Sequence, residues 1–174
     1  MTAFSKLINH PTQSGHRGYL YNPSLEGATI KVHQKIGKNP AQCPKGFKAL
    51  LPGDFIALHQ RGTYQSYVVT HLVQVQDNGL QYDAAHAPYS WFRDCKVLSY
   101  LDPTKAPVSN FNATDNSYEL GKGFNGITMQ DVYAPQGFYV GNGHVRELLK
   151  VDLRTLVRYL QNHPHYSHIA IPVL

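Results

Sequence analysis

The sequence predicts a mixed α+β domain: a small mixed β-barrel with a helix packed against it near the C-terminus. Three observations predict it. Between residues 18 and 101, short runs of alternating or β-branched apolar residues recur between turn residues, the pattern of half-buried strands. Segment 145–162 instead spaces its apolar residues as one face of a helix does. The 14 glycines and 11 prolines fall mostly between these segments, and strands followed by a late helix suit a sheet with a helix laid on it.

Taken in order, GYLYNPS (18–24) reads as a short aromatic strand closed by an Asn-Pro turn, and ATIKVHQ (28–34) as a strand rich in β-branched residues. Segment 35–54 is broken by Pro40, Pro44 and Pro52, so it reads as a loop with one helical turn at 45–51. Strands follow at 54–60 and 65–76. Asp77-Asn78-Gly79 has the residues of a tight hairpin turn, after which 79–84 is expected to pair back. Lys96–Leu101 reads as the next strand, ended by Asp102-Pro103. Residues 102–126, rich in Asn, Ser, Pro and Gly, read as an extended surface loop, and 137–141 as a short strand or turn. In the helix, Val145, Leu148, Leu149, Leu153, Leu156, Val157 and Leu160 share one face, Asn142 is the expected N-cap, and Pro164 stops it. HIAIPVL (168–174) reads as a terminal strand.

The chain has 174 residues, enough for one domain with a full core, and neither a repeat nor a low-complexity linker divides it. The 42% hydrophobic and 16% charged residues place it among globular chains. No apolar run is long enough to span a bilayer, so no membrane association is expected. The N-terminal residues lack the apolar region of a secretory signal. With only Cys43 and Cys95, reduced thiols and a cytoplasmic location are the expectation.

Charge is unevenly placed. Residues 1–53 carry seven basic residues against one acid, Glu26, whereas 54–174 carry nine basic and ten acidic residues. Lys31, Lys35, Lys38, Lys45 and Lys48 lie in a stretch free of acids. Such a patch attracts a polyanion, and phosphate contacts supply most non-specific affinity for nucleic acid. A solvated lysine-rich loop would carry the same charges. Trp91, the single tryptophan, stands beside Phe92 and Arg93 at the start of a strand. A flat ring next to a cation is what a pocket for a planar base needs.

Pro52-Gly53-Asp54, Thr70–Val75 (THLVQV) and the aromatic approach Tyr89–Tyr100 to a KVLSY strand together resemble the PUA-like superfamily, closest to the EVE and YTH-like domains that bind modified bases. The segment PVSNFNATDNSYELGKGFNGITMQDV followed by the amphipathic helix is similar to the loop-then-helix ending of a YTH-like domain. The resemblance covers residues 18–162 and implies a single PUA-like domain over 1–174. This chain departs from the family in having one tryptophan where YTH cages use several, and in a first strand reading GYLYNPS.

By that resemblance the base pocket is lined by Trp91 and Phe92, by Tyr19, Tyr21 and Asn22 at the end of the first strand, and by Val32, His33 and Gln34 in the second. An amide such as Asn22 or Gln34 both donates and accepts at a base edge, and a base flipped out of its stack needs such groups beside a ring. Lys31, Lys35, Lys38, Lys45, Lys48 and Arg93 are expected on backbone phosphates. The implied function is a reader that recognises a modified base, by base flipping, as the specificity module of a restriction or RNA-modification system. DNA is favoured over RNA as partner, and a nuclease or motor domain or subunit is the further partner implied.

Signals for catalysis are sparse. His163, His165 and His168 are spaced like metal ligands but sit in a Pro-interrupted connector without a nearby carboxylate or cysteine. Asp115, Glu119 and Asp131 are scattered, whereas a metal-dependent nuclease clusters its acids. Ser66, His71 and Asp77 do not form a nucleophile elbow, and GKGFNG (121–126) lacks the lysine-hydroxyl pair of a phosphate loop. No metal or cofactor is therefore expected. The alternative is a nuclease or base-processing hydrolase using pocket histidines, with His33 and His71 as the pair.

Overall fold

The computed structural model describes residues 1–8, 17–19, 29–37, 39, 41–61, 67–102, 104–106, 108–112, 117–120, 126–132, 145–168 and 171. The strands are β1 (Ala3–Leu7), β2 (Arg17–Tyr19), β3 (Thr29–Gln34), β4 (Phe55–Arg61), β5 (Tyr67–Val75), β6 (Gln81–Tyr82), β7 (Trp91–Leu101), β8 (Val108–Asn112), β9 (Ser117–Leu120), β10 (Val145–Leu148) and β11 (Tyr166–His168). Three helices, α1 (Lys45–Lys48), α2 (Met129–Val132) and α3 (Lys150–Asn162), join them.

The main sheet runs β10-β1-β4-β5-β7-β11, with β3 and β6 also on β7. At eleven residues, β7 is long enough to serve four partners. β6 and β5 take one edge in turn, and β3 and β11 take the other. The pairing is antiparallel except between β1 and β4. The chain is thus mixed α+β and mostly strand, as the sequence predicts.

The sheet is open, which corrects the expected barrel. It nonetheless curls strongly. β1 and β3 are four strand steps apart, about 19 Å on a flat sheet. Yet Lys6 of β1 donates from Nζ to Gln34 Oε1 of β3 at 2.9 Å, which only a curled sheet allows. β10 and β3 would have to pair to close the barrel. The segment after β3 instead places α1 beside β10: a Cβ on Gly46 would lie 3.2 Å from the Val145 carbonyl oxygen. The prolines explain the plug, because Pro40, Pro44 and Pro52 lack the N–H that a closing strand must donate. α1 matches the expected helical turn, and Phe47 and Leu50 go into the core beneath it.

Two cores result. The concave face holds Ile8, Ile30, Val32, Phe47, Leu50, Ile56, Leu58, Val73, Val75, Cys95 and Val97. The convex face holds Phe55, Ala57, Val69, Leu72, Leu98 and Leu101 under Leu153, Leu156, Val157 and Leu160 of α3. Burying each of those four helical side chains contributes about 1.5–3 kcal/mol. Tyr166 anchors the same layer, donating its hydroxyl to the Val69 carbonyl at 2.6 Å and accepting from Ile127 N at 3.2 Å.

Four element boundaries are corrected. Residues 145–148 are a strand on β1 and not the first turn of the helix. The free edge of β1 needs a partner, and Asp152 starts α3 later by accepting from Leu149 N at 3.2 Å. Leu149, read as a core position, is consequently 56% exposed. Residues 102–126 are not all loop, because β9 pairs with both β8 and β2 in a second, three-stranded sheet. The stretch after Gly79 pairs with β7 and not back onto β5. β7 itself begins at Trp91, five residues before the expected strand. The last strand among the described residues is Tyr166–His168, and of the expected strand 168–174, residues 169, 170 and 172–174 lie outside the described residues. The turn at 77–79 is present, with Gly79 at φ 70°, a backbone that favours glycine. Asn142 and residues 137–141 lie outside the described residues.

Candidate functional site

Strand alternation decides which expected site residues meet. In the β3–β7 register, His33 faces Phe92, Gln34 faces Trp91 and Val32 faces Arg93. Successive side chains point to opposite sides. Phe92, His33 and Lys31 therefore share the outer side of the sheet, and Trp91, Arg93, Val32 and Gln34 share the concave side. Tyr19 is in β2, in the second sheet. Tyr21, Asn22 and Lys38 lie outside the described residues.

On the outer side, Phe92 is sealed. Lys31 Nζ stands 4.6 Å above its ring, the His33 ring lies 5.4 Å away, and only 5% of the residue is exposed. His33 in turn stacks on His86 at 5.2 Å and holds the Tyr89 carbonyl with Nδ1 at 2.8 Å. Burial lowers the pKa of His33 against the pull of that carbonyl, and His86 and Lys31 push the same way as burial. The exposed His86 pairs with Asp83 at 2.7 Å.

The concave side holds a different set. Trp91 is half-buried, and its ring meets the edge of Tyr82 at 4.7 Å; Tyr82 is itself 50% exposed. The Trp91 Nε1 donor is buried without a hydrogen-bond partner among the described residues. Two residues on, Arg93 donates Nη2 to the Lys48 carbonyl at 3.2 Å, and its Nε is also buried without a partner. Gln34 is buried, accepting from Lys6 and donating Nε2 to the Lys35 carbonyl at 3.3 Å. Val32 is sealed in the core. Lys31, Lys35, Lys45 and Lys48 are all exposed.

The sequence reading leaves out Lys6, Cys43, Tyr82, Asp83 and His86. Lys6 is only 3% exposed, and burial lowers its pKa to about 8 against a small upward pull from Cys43. Its position was findable: Phe4, Lys6 and Ile8 alternate on one side of a strand, which places a cation among inward-facing residues. Cys43 is half-buried. Burial raises its thiol pKa, while Arg93, Lys48 and Lys6 pull it down.

His33 and His71 are not brought together. They face Phe92 and Tyr100 of β7, eight residues or about 26 Å apart along the strand. His163 and His165 do meet, ring to ring at 5.1 Å, but among the described residues no group of three side chains is arranged to hold a metal ion. No described helix is long and apolar enough to cross a membrane. No family model matches the chain, and neither a curated protein nor a solved structure is significantly similar to it.

Proposed function

We propose that this chain is a nucleic-acid-binding module that takes a base against the Trp91–Tyr82 rim, in the manner of the PUA-like, EVE and YTH-like domains that it resembles in sequence. The observation that carries the reading is Trp91: a half-buried ring packed on an exposed Tyr82, with an indole N–H that has no partner among the described residues. A buried unsatisfied donor costs about 1–3 kcal/mol, and an acceptor on a bound base would relieve it. Gln34, opposite Trp91 in the ladder, supplies an amide at the same end. Exposed Lys35, Lys45 and Lys48 stand on the segments around this rim and suit backbone phosphates. The partner is DNA in preference to RNA, the base a modified one, and the setting the specificity module of a restriction or RNA-modification system. The outer cluster of Phe92, His33 and Lys31 is read as structural support for β3, since Phe92 is covered.

The test is anisotropy with short duplexes and single strands carrying methylated or hydroxymethylated bases, beside unmodified controls. Trp91→Ala is expected to weaken the preferred ligand about 5- to 150-fold, the worth of one stacked base, and to remove discrimination while the melting curve stays cooperative. Replacing Lys35 and Lys48 by alanine is expected to weaken all ligands alike and to lower the salt slope by about 2. Undiminished discrimination in folded Trp91→Ala would end the reading.

A further inference from the structure

The concave face holds cations and donors without the acceptors to match. Lys6 and Arg93 are 3% and 6% exposed, and neither has a carboxylate within ion-pair distance among the described residues. Among the described residues Lys6 has one acceptor, Gln34 Oε1 at 2.9 Å, and its Nζ stands over the Phe47 ring, 5.7 Å from the centroid. An ammonium has three protons to donate, so two remain. Arg93 spends one donor on the Lys48 carbonyl, and its buried Nε has no partner among the described residues. Cys43, at the lip of the α1 plug, lies within electrostatic range of Lys6, Lys48 and Arg93 together, which ties the two buried cations to one neighbourhood.

An uncompensated buried charge costs several kcal/mol. Two such cations lie beneath the four-residue α1, with the Asp54 carboxylate within electrostatic range of Arg93 but not ion-paired to it, so a counter-ion from outside would stabilise them. We propose that the concave face beneath α1 is a phosphate-binding site, in which Lys6 and Arg93 hold a phosphate dianion that enters past Cys43. Two fixed cations match two negative charges, and the Arg93 fork matches the spacing of phosphate oxygens. The Cys43 thiol does not supply the charge itself, because burial keeps it protonated. Free phosphate and a terminal phosphomonoester share this chemistry. The site does not depend on the nucleic-acid reading: backbone diesters meet the exposed lysines, whereas this one is enclosed.

The experiment titrates the full chain with inorganic phosphate and, in a second arm, with a nucleoside 5′-monophosphate. Sodium chloride at matched ionic strength is the control. Phosphate at one hundred times its Kd is expected to raise Tm by about 5–10 °C over chloride. Lys6→Met and Arg93→Gln should each abolish that saturable rise, and Lys150→Ala, at the exposed start of α3, should keep it. A rise with the monophosphate alone assigns the site to a phosphomonoester, and a rise with both assigns it to phosphate in general. Labelling of Cys43 by iodoacetamide in the unaltered protein needs no variant: phosphate should slow it several-fold and chloride should not. A Tm rise no larger than that in chloride, with unchanged labelling, overturns the site, as does an equal rise in Lys6→Met and the parent. Loss of base discrimination alone leaves these results untouched.

Discussion

Helix α3 lays Leu153, Leu156, Val157 and Leu160 across the convex face of the sheet, whereas the concave face is closed by the four-residue α1 and encloses Lys6 and Arg93. Both faces bury an ionisable group, and they treat it differently. His59 pairs with Val69 of the convex core and meets Tyr67 edge-on at 6.0 Å. Burial there holds its pKa down to about 3, and the charge of Lys6 helps. Lys6 keeps its proton to about 8. Burial thus keeps His59 neutral at neutral pH, whereas Lys6 stays charged. The thirteen-residue helix supplies apolar burial that offsets the cost of the cations on the far side, which leaves the concave face free to bind something. The two groups should therefore act on stability in separate pH windows, His59 in acid and Lys6 in base.

Acid gives the largest effect. The unfolded chain protonates His59 near 6.5, while the folded chain resists until about 3. Stability from this group is complete above pH 6.5 and falls as pH drops towards 3. The loss is about 5 kcal/mol over the full window. Urea unfolding at pH 7 and pH 4 should show a steep fall in the parent chain. His59→Gln, which cannot take up the proton, should flatten that fall. An equally steep fall in His59→Gln would place the acid sensitivity elsewhere.

Base acts through the concave face, and stability again rises with pH. Unfolded Lys6 releases its proton near 10.5 and folded Lys6 near 8. Below pH 8 both states carry the proton and stability does not change. Between about 8 and 10.5 the unfolded chain holds more protons, so stability rises, by about 3 kcal/mol in all. Cys95 works against this from pH 9 upward, since burial pushes its thiol up to about 12 and the unfolded chain ionises first. The clean measurement is the difference between the parent and Lys6→Met, in which Cys95 cancels. The advantage of Met over Lys should shrink from pH 8 to pH 10. A constant difference would mean that Lys6 is not desolvated.

These contrasts also show what sequence could and could not reveal. Strands β3, β4 and β5 follow from alternation and β-branching, and the Gly79 turn from its residue type, because each signal is local. The C-terminal half of the helix is legible for the same reason. Its first turn is not: Val145 and Leu148 fit a helical stripe equally well, and only the open edge of β1 selects the strand. That edge is a tertiary fact. The expected pocket fails to assemble as one unit because Trp91 and Phe92 are neighbours in sequence and so point to opposite sides of β7. The same parity joins Trp91 to Arg93. Lys6 goes unread because a lysine in a six-residue N-terminal run looks like a solvated end. Its burial depends on a curl that brings β1 to β3 across four strand steps.

The smallest expected effect sharpens the comparison most. Gln34 is the only acceptor for Lys6 among the described residues, and a hydrogen bond to a charged group contributes about 1.5–3 kcal/mol. Gln34→Met keeps the volume and removes the acceptor. The protonated lysine then loses support and the neutral form does not. The alkaline gain should accordingly begin about one pH unit below its position in the parent, with a cost at pH 7 of about 1–3 kcal/mol. The Lys6 ammonium itself can be followed by nitrogen-15 NMR through the same range. If its midpoint stays near that of the parent, the Phe47 ring and not Gln34 holds the charge, and the concave face is less polar in effect than its residues suggest. Saturating phosphate should move the midpoint the other way, upward, because an anion beside Lys6 favours the protonated form. A downward move with Gln34→Met and an upward one with phosphate would together show that the concave face keeps its cation for a partner of opposite charge.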